Sequence, residues 1–90
     1  MTQMLDAPLQ DVADADLLAA YAAGDARAAR ALMLRLTPRI FGLSVRMLGD
    51  RAEAEDVTQE TMLRLWKIAP KWQDMGAAPG TWTYRVAANL

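Results

Sequence analysis

The sequence predicts an all-α fold, a compact bundle of three main helices plus a short N-terminal helix. Of the 90 residues, 53% are apolar and 23% charged, with alanine abundant and only 5 Gly and 4 Pro. Alanine and straight-chain residues lose least freedom on entering a helix, and the β-branched residues that favour strands are few. Apolar residues recur at three- and four-residue steps, the period of a helix with one buried face. Glycine followed by aspartate, at Gly24–Asp25 and again at Gly49–Asp50, supplies the expected stop-and-start chemistry between helices.

Residues 1–13 show no period and read as a flexible lead-in to a single domain over 14–90. Asp14 or Asp16 can cap a short helix running to about Ala23, with Leu17, Leu18 and Tyr21 buried. The second helix should run from about Ala26 to Leu48. Its core stripe is Ala29, Leu32, Leu36, Ile40, Leu43 and Met47. Pro38 interrupts it by removing a hydrogen bond and crowding the preceding turn, so a bend is expected, or a break with Thr37 as a new cap. An acidic helix then runs to about Ala69, where Pro70 closes it. Its apolar face is Ala54, Val57, Thr61, Leu65 and Ile68. "KWQDMGAAPG" has turn residues and no period, the mark of a loop, and long loops in small domains are more often functional than filler. Thr81 can cap a last helix that buries Trp82 and Val86. That helix meets Leu90 without a capping residue, as a fragment of a longer protein would.

Several functions are excluded at this level. With no cysteine and no histidine, disulfides, thiol chemistry and the usual zinc sites are ruled out. Glu53, Asp56 and Glu60 share a helix face, but metal sites in bundles use Glu-x-x-His pairs on facing helices. No metal or other cofactor is expected. Nucleophile–base pairs and Gly-rich phosphate loops have no candidates, so the chain should not be an enzyme. No apolar run approaches the roughly 20 residues of a membrane span, and the acidic start lacks the basic flank of a signal peptide. A cytoplasmic protein without direct membrane insertion is expected.

The net charge of −1 hides an uneven distribution. Residues 1–49 hold five Asp and five Arg, residues 50–63 sum to −4, and residues 64–90 sum to +3. An acidic helix followed by a basic segment suggests two partners of opposite sign, with a solvated charge pattern as the alternative. The polar face of the acidic helix carries Asp56, Gln59, Glu60 and Lys67, yet Leu63 stands in its middle with Trp66 one turn on. Isolated exposed leucines are ordinary. A leucine beside Met62 and Trp66 with an acidic rim is also how a helix docks onto a basic partner, although Trp66 could instead complete the core. Lys71 to Asn89 interleave basic and aromatic residues: Lys71, Trp72, Trp82, Tyr84 and Arg85, with Gln73, Asp74 and Asn89 as hydrogen-bonding groups. Single-stranded nucleic acid is bound by such stacking and charge neutralisation, while Trp72 and Trp82 could equally pin the loop as core residues.

"DADLLAAYAAGD", "GDRAEAEDVTQETMLRLWK" and "GTWTYRVAANL", in this order and spacing, resemble the second conserved domain of bacterial sigma factors of the extracytoplasmic-function type. The resemblance covers about Asp14 to Leu90. It implies that Asp56, Gln59, Glu60, Leu63 and Trp66 contact the β′ clamp helices of core RNA polymerase. It further implies that the region from Lys67 onward meets the non-template strand of promoter DNA at the minus-ten element. The loop from Lys71 to Gly80 would capture a flipped base. The implied DNA-facing residues are Lys67, Lys71, Trp72, Gln73, Asp74, Met75, Thr81, Tyr84, Arg85 and Asn89. In this family an anti-sigma factor commonly masks the same surfaces. The chain departs from the family pattern at Met62, where Phe is usual, at Pro79–Gly80, where an aromatic residue is usual, and at Thr83, where Leu is usual. The alternative is a helical adaptor that binds a protein partner through its acidic helix alone.

Overall fold

A computed structural model describes residues 12–72 and 78–90. Four helices follow one another: α1, Asp14–Ala22; α2, Ala26–Leu48; α3, Arg51–Ile68; and α4, Pro79–Ala88, with a 3₁₀ turn over Ala69–Lys71 extending α3. Among the described residues there is no strand. The all-α bundle is as expected.

The two Gly–Asp boundaries do what their chemistry predicts. Gly49 takes the left-handed conformation (φ 68°) and closes α2 with a bond from its N–H to the Val45 carbonyl. Asp50 then accepts from the Glu53 N–H at 3.0 Å and opens α3. Asp25 likewise accepts from the Arg27 N–H at 2.8 Å and opens α2. At α1 the expectation fails: Ala13 is the N-cap, without a side-chain bond, and both Asp14 and Asp16 lie inside the first turn. Asp14 is drawn instead to Arg35 on α2. Val12, in the expected lead-in, is buried in the core, and its carbonyl accepts from Arg35.

α2 runs unbroken through Pro38, so Thr37 caps nothing. Proline deprives the carbonyl four residues back of its donor, and here that residue, Leu34, is exposed, so water can satisfy it. The buried row of α2 is Ala28, Leu32, Leu36, Ile40 and Ser44, in steps of four. Such i±4 rows form the ridges that helices pack into one another's grooves. Ala29 and Leu43 are therefore half-buried and Met47 is exposed, in place of the expected core stripe. α3 turns in the same sense: Ala54, Thr58, Thr61, Met62 and Leu65 are buried, while Val57 and Ile68 lie half-buried at the flank. In α4 the buried face is Pro79, Thr83 and Ala87, with Trp82 and Val86 half-buried beside it.

Among the described residues, four hydroxyls lie in this core, and each is satisfied within its own helix. Ser44 donates to the Ile40 carbonyl, Thr58 to Ala54, Thr61 to Val57 and Thr83 to Gly80, at 2.7–2.8 Å. Bonding back one turn removes the cost of burying a polar group, which lets small residues sit where helices come close.

Candidate functional site

The outer face of α3 follows from the position of its core face. With Thr58, Thr61 and Leu65 inward, helical geometry directs Asp56, Gln59, Glu60, Leu63 and Lys67 outward, and all five are exposed. Leu63 keeps 56% of its accessible surface. Glu60 is tethered to Arg64 one turn on, at 3.0 Å. Met62 does not share this exposure: at 6% it is a core residue. Trp66 lies between the two regimes. It is half-buried, and its ring stacks on Tyr21 of α1 with centroids 4.6 Å apart and planes tilted by 45°. Its remaining edge lines an open groove of about 270 Å³ between α2 and α3, with Met33, Met62 and Leu63 as the other apolar walls. Met33, itself exposed, carries the apolar surface onto α2.

The second region forms around the start of α4. Trp72 and Trp82 meet edge to face, centroids 5.8 Å apart at 84°, and both pack against the core. This pair holds the chain entering the segment 73–77 to the helix leaving it. Gln73, Asp74 and Met75 lie outside the described residues. Lys71, Thr81, Tyr84, Arg85 and Asn89 are exposed, and the Asn89 amide donates to the Arg85 carbonyl at 2.7 Å. Thr81 does not cap α4: the helix begins two residues earlier, with Ala78 as N-cap and Pro79 in the first position. Proline suits that position because its missing N–H would be unpaired there anyway. A cleft of about 380 Å³ runs beside this start and brings Arg39 of α2 near Thr81 and Tyr84.

A family model described as sigma-70 region 2 matches residues 32–90, well over half of the chain. The chain belongs to the sigma-70 region 2 family. Its relatives narrow this to the extracytoplasmic-function type. Over 76 residues it is 36% identical to the RNA polymerase sigma-H factor of Pseudomonas aeruginosa, covering 84% of this chain and 39% of that one. Over 69 residues it is 36% identical to the ECF RNA polymerase sigma factor SigL of Mycobacterium tuberculosis, covering 77% and 39%. It is 40% identical over 52 residues to SigW of Bacillus subtilis, covering 58% and 27%. The chain thus spans less than half the length of these relatives. No solved structure matches it.

Two departures of this sigma factor domain from its family pattern have structural explanations. Met62 fills a core position, where a flexible thioether substitutes readily for a ring. Thr83 is buried where an apolar side chain is usual, and its hydroxyl is satisfied by the Gly80 carbonyl. Two candidate residues escaped the sequence reading: Met33 and Arg39. Nothing in the sequence marks Arg39. No helix among the described residues is long and apolar enough to cross a membrane.

Proposed function

We propose that this domain couples core RNA polymerase to promoter DNA as a non-enzymatic initiation factor, docking through α3 and opening the minus-ten element through the region from Lys67 to Asn89. What carries the proposal is one packed bundle with two dissimilar outward faces. On α3, an exposed leucine sits inside a rim of Asp56, Gln59 and Glu60 and continues into the groove bordered by Met33 and Trp66. An apolar centre with an acidic rim fits a basic, grooved helical partner, which the β′ clamp helices would supply. Around α4, Lys71, Tyr84 and Arg85 offer cations and a ring face to a single strand.

Unpairing and flipping a base costs a few kcal/mol, which stacking and edge hydrogen bonds in a pocket can return. Specificity then resides in the segment between Trp72 and Thr81 and not in a helix lying in a duplex groove. An anti-sigma factor would act by covering the same two faces. The cytoplasm is the compartment in which this role would be exercised.

The two faces can be tested separately with the full-length protein. Leu63→Ala should weaken core polymerase binding about tenfold, as the loss of an interface anchor does, while saturated holoenzyme opens promoters normally. Arg85→Ala should bind core normally and open promoters slowly. If Arg85→Ala and Lys71→Ala both open promoters at the parental rate, the adaptor reading replaces this one.

A further inference from the structure

The even charge of residues 1–49 conceals a segregation. All five aspartates precede α2 and all five arginines lie on it: Arg27, Arg30, Arg35, Arg39 and Arg46, with no acidic residue between Ala26 and Leu48. Half of the ten basic residues of the chain are therefore on one helix. Two of the five are engaged by aspartates. Arg27 lies 3.7 Å from Asp25, and Arg35 Nη1 donates to Asp14 Oδ1 at 2.6 Å. Arg30, Arg39 and Arg46 are exposed, and no carboxylate among the described residues pairs with them.

Arg39 lines the cleft of about 380 Å³ beside the start of α4, together with buried Leu36 and Ile40 and with Thr81 and Tyr84 of α4. Asp14 lines it too, but that carboxylate is already answered by Arg35. The guanidinium of Arg39 is thus left as the uncompensated charge on the cleft wall. Apolar walls strengthen the field of such a charge. A guanidinium carries paired N–H donors that match two oxygens of a phosphate. Across the same cleft, Tyr84 offers an exposed ring, and a cation beside a ring is how a single strand is held by its backbone and its bases together.

We propose that Arg39 binds a backbone phosphate of the non-template strand, so that the strand meeting Tyr84 and Arg85 on α4 continues across the cleft onto α2. The assignment rests on the promoter-opening function proposed above and extends its DNA surface beyond the region from Lys67 to Asn89. An acidic protein segment is the other class of partner for an exposed arginine. The tyrosine ring on the facing wall favours the strand.

Arg30 supplies the control. It stands nine residues before Arg39, about two and a half turns, and so on the opposite side of the same helix. Arg30→Gln and Arg39→Gln remove the same charge from exposed positions, so both variants should fold like the parent. Holoenzyme made with each full-length variant, with Arg39→Lys and Arg85→Ala alongside, is titrated over a salt series with a promoter fragment whose minus-ten non-template strand is unpaired. Core affinity is measured separately. Arg39→Gln should lower the slope of log affinity against log salt by about 0.7–0.9, the loss of one phosphate contact, at parental core affinity. Arg39→Lys should keep the slope, and Arg30→Gln should match the parent. Equal slope losses in Arg30→Gln and Arg39→Gln would show a diffuse field without a contact and overturn the proposal. A parental slope in Arg39→Gln when Arg85→Ala lowers it would overturn it as well, with the promoter-opening function left standing. So would a loss of core affinity in Arg39→Gln at unchanged slope, the mark of an acidic protein partner. If Arg85→Ala also keeps the parental slope and opens promoters at the parental rate, both fall.

Discussion

α3 and α4 each present a large side chain to solvent, Leu63 and Tyr84, but they are held in place by different means. α3 carries its own instructions. Gly49 and Asp50 fix its start, and its buried residues fix its rotation, so the direction of Leu63 follows from helix period alone. α4 is shorter and lacks a side-chain cap. Its placement depends on Pro79 and Thr83 in the core and on the Trp72–Trp82 contact. A face set by period tolerates distant substitutions. One set by tertiary contacts does not.

The largest effect that would test this contrast is on stability. Leu65→Ala, at a fully buried position, should lose about 2–5 kcal/mol in urea unfolding. Leu63→Ala, two residues away, should stay within about 0.5 kcal/mol of the parent. Equal losses would mean that Leu63 belongs to the core and that the docking face does not exist. Val57→Ala should fall between them, since Val57 is only half-buried.

A smaller effect separates the two faces by salt. If Arg85 neutralises a phosphate, Arg85→Ala should reduce the slope of log affinity for promoter DNA against log salt by about 1. Glu60→Gln should leave that slope unchanged. The same Glu60 substitution gives the smallest expected change in stability, about 0.3–0.5 kcal/mol, because the Arg64 pair it breaks is exposed and local. A loss of several kcal/mol there would mean that the outer face of α3 is more tightly built than its exposure implies.

The same contrast explains what was legible in the sequence. The limits of α2, the caps at Asp25 and Asp50 and the exposure of Leu63 followed from local chemistry and period. Core membership was less legible where polar residues fill it. Ser44, Thr58 and Thr83 stand outside the expected core faces, and a hydroxyl bonded to the preceding turn makes their burial inexpensive. The true start of α4 was hidden because no residue caps it; Thr81 looked the part, but Pro79 and its burial decide. Asp14 looked like a cap and is instead a partner of Arg35, a contact 21 residues distant that no local pattern encodes. The groove bordered by Met33 likewise needed the packing of α2 on α3 to appear.

Site-specific photocrosslinking from two positions of the assembled holoenzyme bears most directly on the division of labour between the helices. A crosslinker replacing Leu63 should attach to a polymerase subunit, and one replacing Arg85 should attach to the non-template strand at the minus-ten element. Attachment of the Leu63 probe to DNA, or to nothing while the holoenzyme remains intact, would contradict the account.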